Sequence, residues 1–227
     1  MSDPSLDMAE LLGLKEVQMS QYKGLIYREK FPAGKALYGS NTDFDGIYIV
    51  SSGLAKTTLS LDNIEVVTGI ATKSDVLGSD ALHSPTFVST ATAVTDLTVL
   101  KVPAPVLTDL LKRDEQFREV LYQKLGAAIA EGFELIRLLA TARANARLAF
   151  FLLKVSAKVA AEKPDMQVFD VGLSREEIGR YLGLKVATVS RQISSLAEIG
   201  YVRVSGKRMR IMDSVALGRI RAGRTLH

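Results

Sequence analysis

The hydrophobic period of the chain changes as it is read from the N-terminus. Residues 4–18 carry Leu6, Leu11, Leu12 and Val17 at spacings that predict a short amphipathic helix. From Gly24 to Val102 the pattern is β: short runs rich in Val, Ile, Thr, Leu and Tyr, broken by turn residues. The runs are Leu25 to Phe31, Gly46 to Val50, Leu54 to Leu61, Ile64 to Ala71, Val88 to Val94 and Leu97 to Val102. Breakers fall at Pro32-Ala33-Gly34, Asn41 to Asp45, Ser51 to Gly53 and Asp62-Asn63. Short strands so spaced predict a small antiparallel barrel or jelly roll. Pro103 and Pro105 then mark a change to helix. A short helix is expected over Val106 to Leu111 and one long helix over Glu115 to Leu139.

Along the long helix Tyr122, Leu125, Ile129, Gly132, Ile136 and Leu139 recur at steps of three and four, the seam of a coiled coil that pairs two chains. The plainer reading packs this stripe on the chain's own roll. A second stripe of Leu121, Ala128 and Leu135 is available for that job. Gly132 weakens the helix by about 1 kcal/mol relative to alanine and leaves room for two backbones to approach. A further helix from Thr141 to Lys163, ended by Pro164, carries Leu148, Phe150, Phe151, Leu152, Val155, Val159 and Ala160.

Leu173 to Ile193, LSREEIGRYLGLKVATVSRQI, predicts two short helices joined by a tight turn. Ser174 with Glu177 three residues on is a capping-box pair. Ile178, Tyr181 and Leu182 form the apolar face, and Gly183 ends the helix in the left-handed conformation. The second helix is expected from Val186 to Glu198, stopping at Gly200. It buries Val189, Ile193, Leu196 and Ile199 and turns Ala187, Ser190, Arg191 and Ser194 outward. Such a face suits a DNA major groove: small side chains allow close approach, and arginine can grip guanine O6 and N7. Tyr201 to Val204 and Met209 to Met212 predict a hairpin around Gly206, a wing whose Lys207, Arg208 and Arg210 suit phosphate contact.

The segment resembles the helix-turn-helix of the CRP/FNR superfamily of bacterial transcription regulators. It is closest to the FNR branch, in which I/L-G-x-Y-L-G-L followed by S-R recurs. Here IGRYLGL is Ile178 to Leu184, and the serine–arginine pair is Ser190 and Arg191. Upstream, GKALY (Gly34 to Tyr38), IYIVSSGLAK (Ile47 to Lys56) and LGSDAL (Leu77 to Leu82) resemble the family's sensor roll. Downstream, GKRMRI (Gly206 to Ile211) stands at the spacing of the wing. The resemblance spans roughly residues 20–220. It implies an α+β fold with an antiparallel β-roll sensor of the cyclic-nucleotide-binding, jelly-roll type over residues 1–114. A long dimerisation helix would occupy 115–140, and a winged helix-turn-helix domain 141–227.

Charge agrees with that division. Residues 1–140 hold 13 Lys and Arg against 18 Asp and Glu, a net −5, while residues 141–227 hold 16 against 7, a net +9. A basic C-terminal part on an acidic partner is the footprint of a nucleic-acid-binding module, although uneven surface charge also arises by chance. No apolar run nears the ~18 residues that span a bilayer. The N-terminal MSDPSLDMAE lacks the basic region and apolar core of a signal peptide. The expectation is a cytoplasmic protein with no membrane partner.

Among individual residues, Arg191 is the candidate for direct base readout, the alternatives being a phosphate contact or a surface salt bridge. Ser190 is a second base contact, with Val186 and Ser194 on the same surface. Ala187 departs from relatives that carry a glutamate there to accept from cytosine N4; its methyl can touch thymine C5 instead. Lys185 replaces a small hydroxyl residue at the helix start, which points to phosphate contact. Arg175, Lys207 and Arg208 are further phosphate candidates or ordinary solvated surface.

The resemblance implies a homodimer on double-stranded DNA with an inverted-repeat operator, in contact with RNA polymerase. It does not supply an effector. Cyclic-nucleotide members carry a glutamate after the LG turn and an Arg-Ser pair a few residues later. Here Gly78 is followed by Ser79, and Ser84 to Ser89 contain no arginine to pair a phosphate. The chain has no cysteine, so neither the FNR-type cluster nor a disulfide switch is expected. Its two histidines, His83 and His227, offer little for haem. An unknown small molecule in the roll and a regulator competent without ligand both remain open. A jelly-roll metal enzyme needs several histidines and a carboxylate converging inside the roll, which one roll histidine cannot supply.

Overall fold

The computed structural model describes residues 3–61, 64–162, 168–170, 172–205 and 208–223. Two N-terminal helices, α1 (Pro4–Leu12) and α2 (Glu16–Met19), precede strands β1 (Tyr27–Phe31), β2 (Ala36–Tyr38), β3 (Gly46–Ser52), β4 (Ala55–Leu61), β5 (Ile64–Ala71), β6 (Val76–Leu77), β7 (Thr90–Ala93) and β8 (Leu97–Pro103). Helices α3 (Ala104–Arg113), α4 (Glu115–Thr141) and α5 (Ala144–Glu162) follow. The chain continues through β9 (Val168–Asp170), α6 (Arg175–Leu182), α7 (Val186–Glu198), β10 (Val202–Ser205), β11 (Arg208–Ile211) and α8 (Ser214–Arg221). Two compact units result: Met1–Asn63 with Thr68–Ala130, and Ile64–Val67 with Glu131–His227. Among the described residues no helix is long and apolar enough to cross a membrane.

The first unit is built on two antiparallel four-stranded sheets, ordered β1-β8-β3-β6 and β2-β7-β4-β5. Strand alternation explains its two cores. On β3, Tyr48 and Val50 point to a cluster shared with Tyr38, Ala91, Leu97 and Val99, which fills the space between the sheets. Ile47 and Ile49 point the other way, into a cluster with Met8, Met19, Leu107, Leu110, Phe117 and Leu121 from the flanking helices. A strand buried on both faces reads as the unbroken apolar run IYIV.

The N-terminal expectation needs correction. Gly13 adopts φ 69° and caps α1, so residues 4–18 do not form one helix. Within α1 the core face is Met8 and Ala9 while Leu6 is partly exposed, and the new axis after Gly13 buries Met19 and leaves Val17 86% exposed. Along α4 the roll core reaches only the first turns, through Phe117 and Leu121 with Val120 and Leu125 beside them. Ala128 is therefore exposed, not packed as the second stripe required.

In the second unit α5 is the central helix, with Leu148, Ala149, Phe150, Phe151, Leu152 and Val155 buried. Helices α6, α7 and α8 pack on it. The hairpin β10–β11 gains a third strand, β9, in the order β10-β11-β9. Pro164, expected to end α5, and His227 lie outside the described residues; α5 ends at Glu162.

Candidate nucleic-acid interface

Helix α6 begins with the expected capping box. The Ser174 side chain accepts from the Glu177 amide at 3.1 Å, and the Glu177 carboxylate accepts from the Ser174 amide at 2.7 Å. Ile178, Tyr181 and Leu182 are buried, and Gly183 closes the helix at φ 61°. A second glycine makes the turn tight. A Cβ at Gly179 would stand 2.6 Å from the Leu184 carbonyl oxygen, where the turn folds back over α6. The Leu184 amide donates to the Gly179 carbonyl at 2.8 Å.

Helix α7 is anchored by Val189, Ile193 and Leu196, all buried. Lys185, Val186, Ala187, Ser190, Arg191 and Ser194 are all exposed. At 100° per residue, Arg191 and Ala187 lie nearest the point opposite the buried Val189, Ile193 and Leu196, with Ser194 and then Ser190 to one side. Among the described residues Arg191 has no hydrogen-bond or ion-pair partner, so its guanidinium is free for a ligand. Lys185 stands at the N-cap without bonding the helix amides. Ile199, expected in the core, is 51% exposed because α7 ends at Glu198 and the helical period no longer holds.

Arg175, the first residue of α6, is half-buried, and burial alone lowers its pKa. It too is unpaired among the described residues, a partly desolvated cation without an anion. In the wing, β10 and β11 align Arg203 opposite Arg210, while Val202 and Met209 are buried beneath. Arg203 is exposed and was not singled out from the sequence, although its alternation with Val202 and Val204 was the available signal. Lys207 and the Arg208 side chain lie outside the described residues.

Behind this surface the helices are tied by polar contacts. The Arg147 guanidinium donates to Ala142, Leu182 and Leu139 carbonyls at 2.9, 3.0 and 2.8 Å. Lys154 pairs with Glu131 at 2.8 Å and reaches the Tyr181 hydroxyl at 3.2 Å. Burial opposes the Lys154 charge, but Tyr181 and Glu131 outweigh it and raise its pKa. Arg221 of α8, a helix not foreseen, pairs with Glu134 and lies over the Phe150 ring.

On the long helix, Tyr122, Ile129 and Ile136 are 64%, 59% and 63% exposed, and Gly132 is exposed with them. Leu125 is half-buried against the roll core and Leu139 is half-buried. Phe133, missing from the expected stripe, is 67% exposed.

Comparison with known proteins places this geometry. Residues 146–220 match the family model of a Crp-like helix-turn-helix domain, and residues 28–114 match that of a cyclic nucleotide-binding domain. The chain is 31% identical over 191 residues to the transcriptional activator protein anr of Pseudomonas aeruginosa, covering 84% of this chain and 78% of that one. It is 30% identical over 214 residues to the fumarate and nitrate reduction regulatory protein of Salmonella typhi, covering 93% and 85%. The fold is shared with FixK2 from Bradyrhizobium japonicum at a TM-score of 0.75 and 23% identity, covering 86% of this chain and 96% of that one. A capped, glycine-tightened pair of helices backed by a winged sheet, and likeness of this extent along the chain, lead to one conclusion: the chain belongs to the CRP/FNR superfamily of transcription regulators and carries its helix-turn-helix DNA-binding domain.

Proposed function

We propose that the protein regulates transcription as a homodimer that sets two copies of α7 into successive major grooves of an inverted-repeat operator, where it meets RNA polymerase. The observation that carries this reading is Arg191, exposed and without a partner among the described residues, flanked on the outward face by nothing longer than serine at Ala187, Ser190 and Ser194. Arg191 reads guanine, and Ser190 touches the neighbouring base edge. Lys185, Arg175 and the wing residues Lys207 and Arg208 hold phosphates. Residues 1–114 act as sensor, 115–140 as dimer helix and 141–227 as reader. The dimer seam uses Tyr122, Leu125, Ile129, Gly132, Ile136 and Leu139, and the exposure of Tyr122, Ile129 and Ile136 supports it. Measured on a selected operator, Arg191→Ala costs about 1–3 kcal/mol and flattens preference at one base pair per half-site. Uniform weakening across all sequences would assign Arg191 to the backbone instead.

The residues of the roll do not fit a cyclic nucleotide. Phe87 fills the space between the sheets, stacked on Tyr38 with ring centroids 3.9 Å apart. Among the described residues no lysine or arginine is buried to meet a phosphate, and the Ser89 amide already donates to the Asp80 carboxylate at 3.0 Å. His83 is exposed. We therefore read the roll as a packed scaffold whose reader is competent without a nucleotide.

A further inference from the structure

The N-terminal turn of a recognition helix is the part that meets base edges. In α7 that turn presents Val186, 45% exposed, and Ala187, also exposed. Neither side chain has a hydrogen-bonding atom. The turn contains no acidic residue, and neither Val186 nor Ala187 can accept from cytosine N4 or adenine N6. Only one base presents an apolar group in the major groove, and that is thymine with its C5-methyl. One turn further on, Arg191 stands at i+4 from Ala187 on the same outward face, ~6 Å along the axis. With alanine at 187 the arginine pairs with no carboxylate among the described residues and keeps its donors for guanine.

Resting on the DNA-reading role proposed above, we infer that Val186 and Ala187 form a methyl-reading patch that selects a T·A pair next to the base pair read by Arg191. Recognition at that position rides on a methyl group and not on a hydrogen bond. Cytosine is rejected there for lack of a methyl, and 5-methylcytosine recovers part of the affinity. Because the contact is apolar, its contribution does not change with salt, unlike the phosphate contacts around it.

The test uses the full-length protein and the operator it selects, with thymine replaced by deoxyuridine at one half-site position at a time. A single position should lose about fourfold in affinity, the size expected for one buried methyl-sized group. Ala187→Gly should shrink that thymine-to-uracil ratio toward one, and Ala187→Glu should move preference at the same position to cytosine. Both changes lie on an exposed face, and retained guanine preference through Arg191 certifies that the variants are folded. Equal binding of thymine and deoxyuridine at every position, by a protein that still selects an operator, overturns the methyl patch alone. Failure to select any operator overturns both the patch and the DNA-reading role beneath it.

Discussion

Arg147 caps Leu182: its guanidinium donates to the last carbonyl of α6 at 3.0 Å, while the same group holds Leu139 at 2.8 Å near the end of α4. One cation thus satisfies carbonyls at two helix C-termini, where the helix dipoles favour positive charge. Gly183 completes the joint, since a Cβ there would press on the guanidinium at 3.3 Å. The turn between the reading helices is thereby fastened directly to the long helix that precedes them.

Replacing Arg147 with alanine leaves the Leu182, Leu139 and Ala142 carbonyls without their donor. The expected loss is about 2–4 kcal/mol of stability, from charged hydrogen bonds worth about 1.5–3 kcal/mol each and partly replaced by water. Denaturant unfolding measures it. Arg147→Lys, which cannot fork between carbonyls, should recover less than half of the loss.

Lys185→Ala should weaken binding to operator and to random DNA alike. The exposed ammonium is assigned to phosphate, so in a dimer that loses one contact from each protomer the slope of log affinity against log salt should fall by about 1.8, about 0.9 per contact. Titrations at several salt concentrations decide it. A change confined to one base pair would move Lys185 into the base-reading set.

Ile129→Glu and Ile136→Glu place charge on the exposed stripe of α4, where the native side chains are 59% and 63% exposed. Neither residue supports the chain's own core, so the far-ultraviolet spectrum should not change. The dimer dissociation constant should rise about tenfold or more, as read by sedimentation. Unchanged assembly would put the contact elsewhere.

Alkaline pH should loosen the roll through its buried tyrosines. Burial, and then Asp109, pushes Tyr22 up from 10.0 to about 12; burial, and then Asp45, does the same to Tyr48. An acid whose folded pKa is raised keeps its proton longer in the native state. The resulting stability is whole below pH 10 and is lost as the pH climbs from about 10 to 12. Denaturant midpoints across that window, with phenolate absorbance alongside, give the check. Tyr22→Phe with Tyr48→Phe should flatten the dependence.

The reading helices were legible because each boundary has a local chemical cause. Ser174 and Glu177 cap one end of α6 and Gly183 the other, so its residues needed no tertiary information. The strands of five or more residues were legible by period, whereas β2, β6 and β9 hold only three, two and three residues and show no alternation. Strand β9 exists because β11 pairs Phe169 with Met209, a long-range partnership no local pattern signals. Val17 and Ile199 were misread for one reason: each lies past a break, Gly13 or the end of α7, across which the period was carried. Gly179 was visible in IGRYLGL, but its steric role emerges only when Leu184 folds back over it. Arg147, in the first turn of an apolar helix, gave no sign of the carbonyls it would meet.

The most direct measurement is selection of bound sequences from random duplex DNA by the purified protein, free of added ligand and metal. The protein should enrich an inverted repeat whose half-sites lie about one helical turn apart, ~34 Å centre to centre. Each half-site should carry a guanine whose preference vanishes in Arg191→Ala. A folded, dimeric protein that enriches no sequence, or only an unpaired half-site, would contradict it.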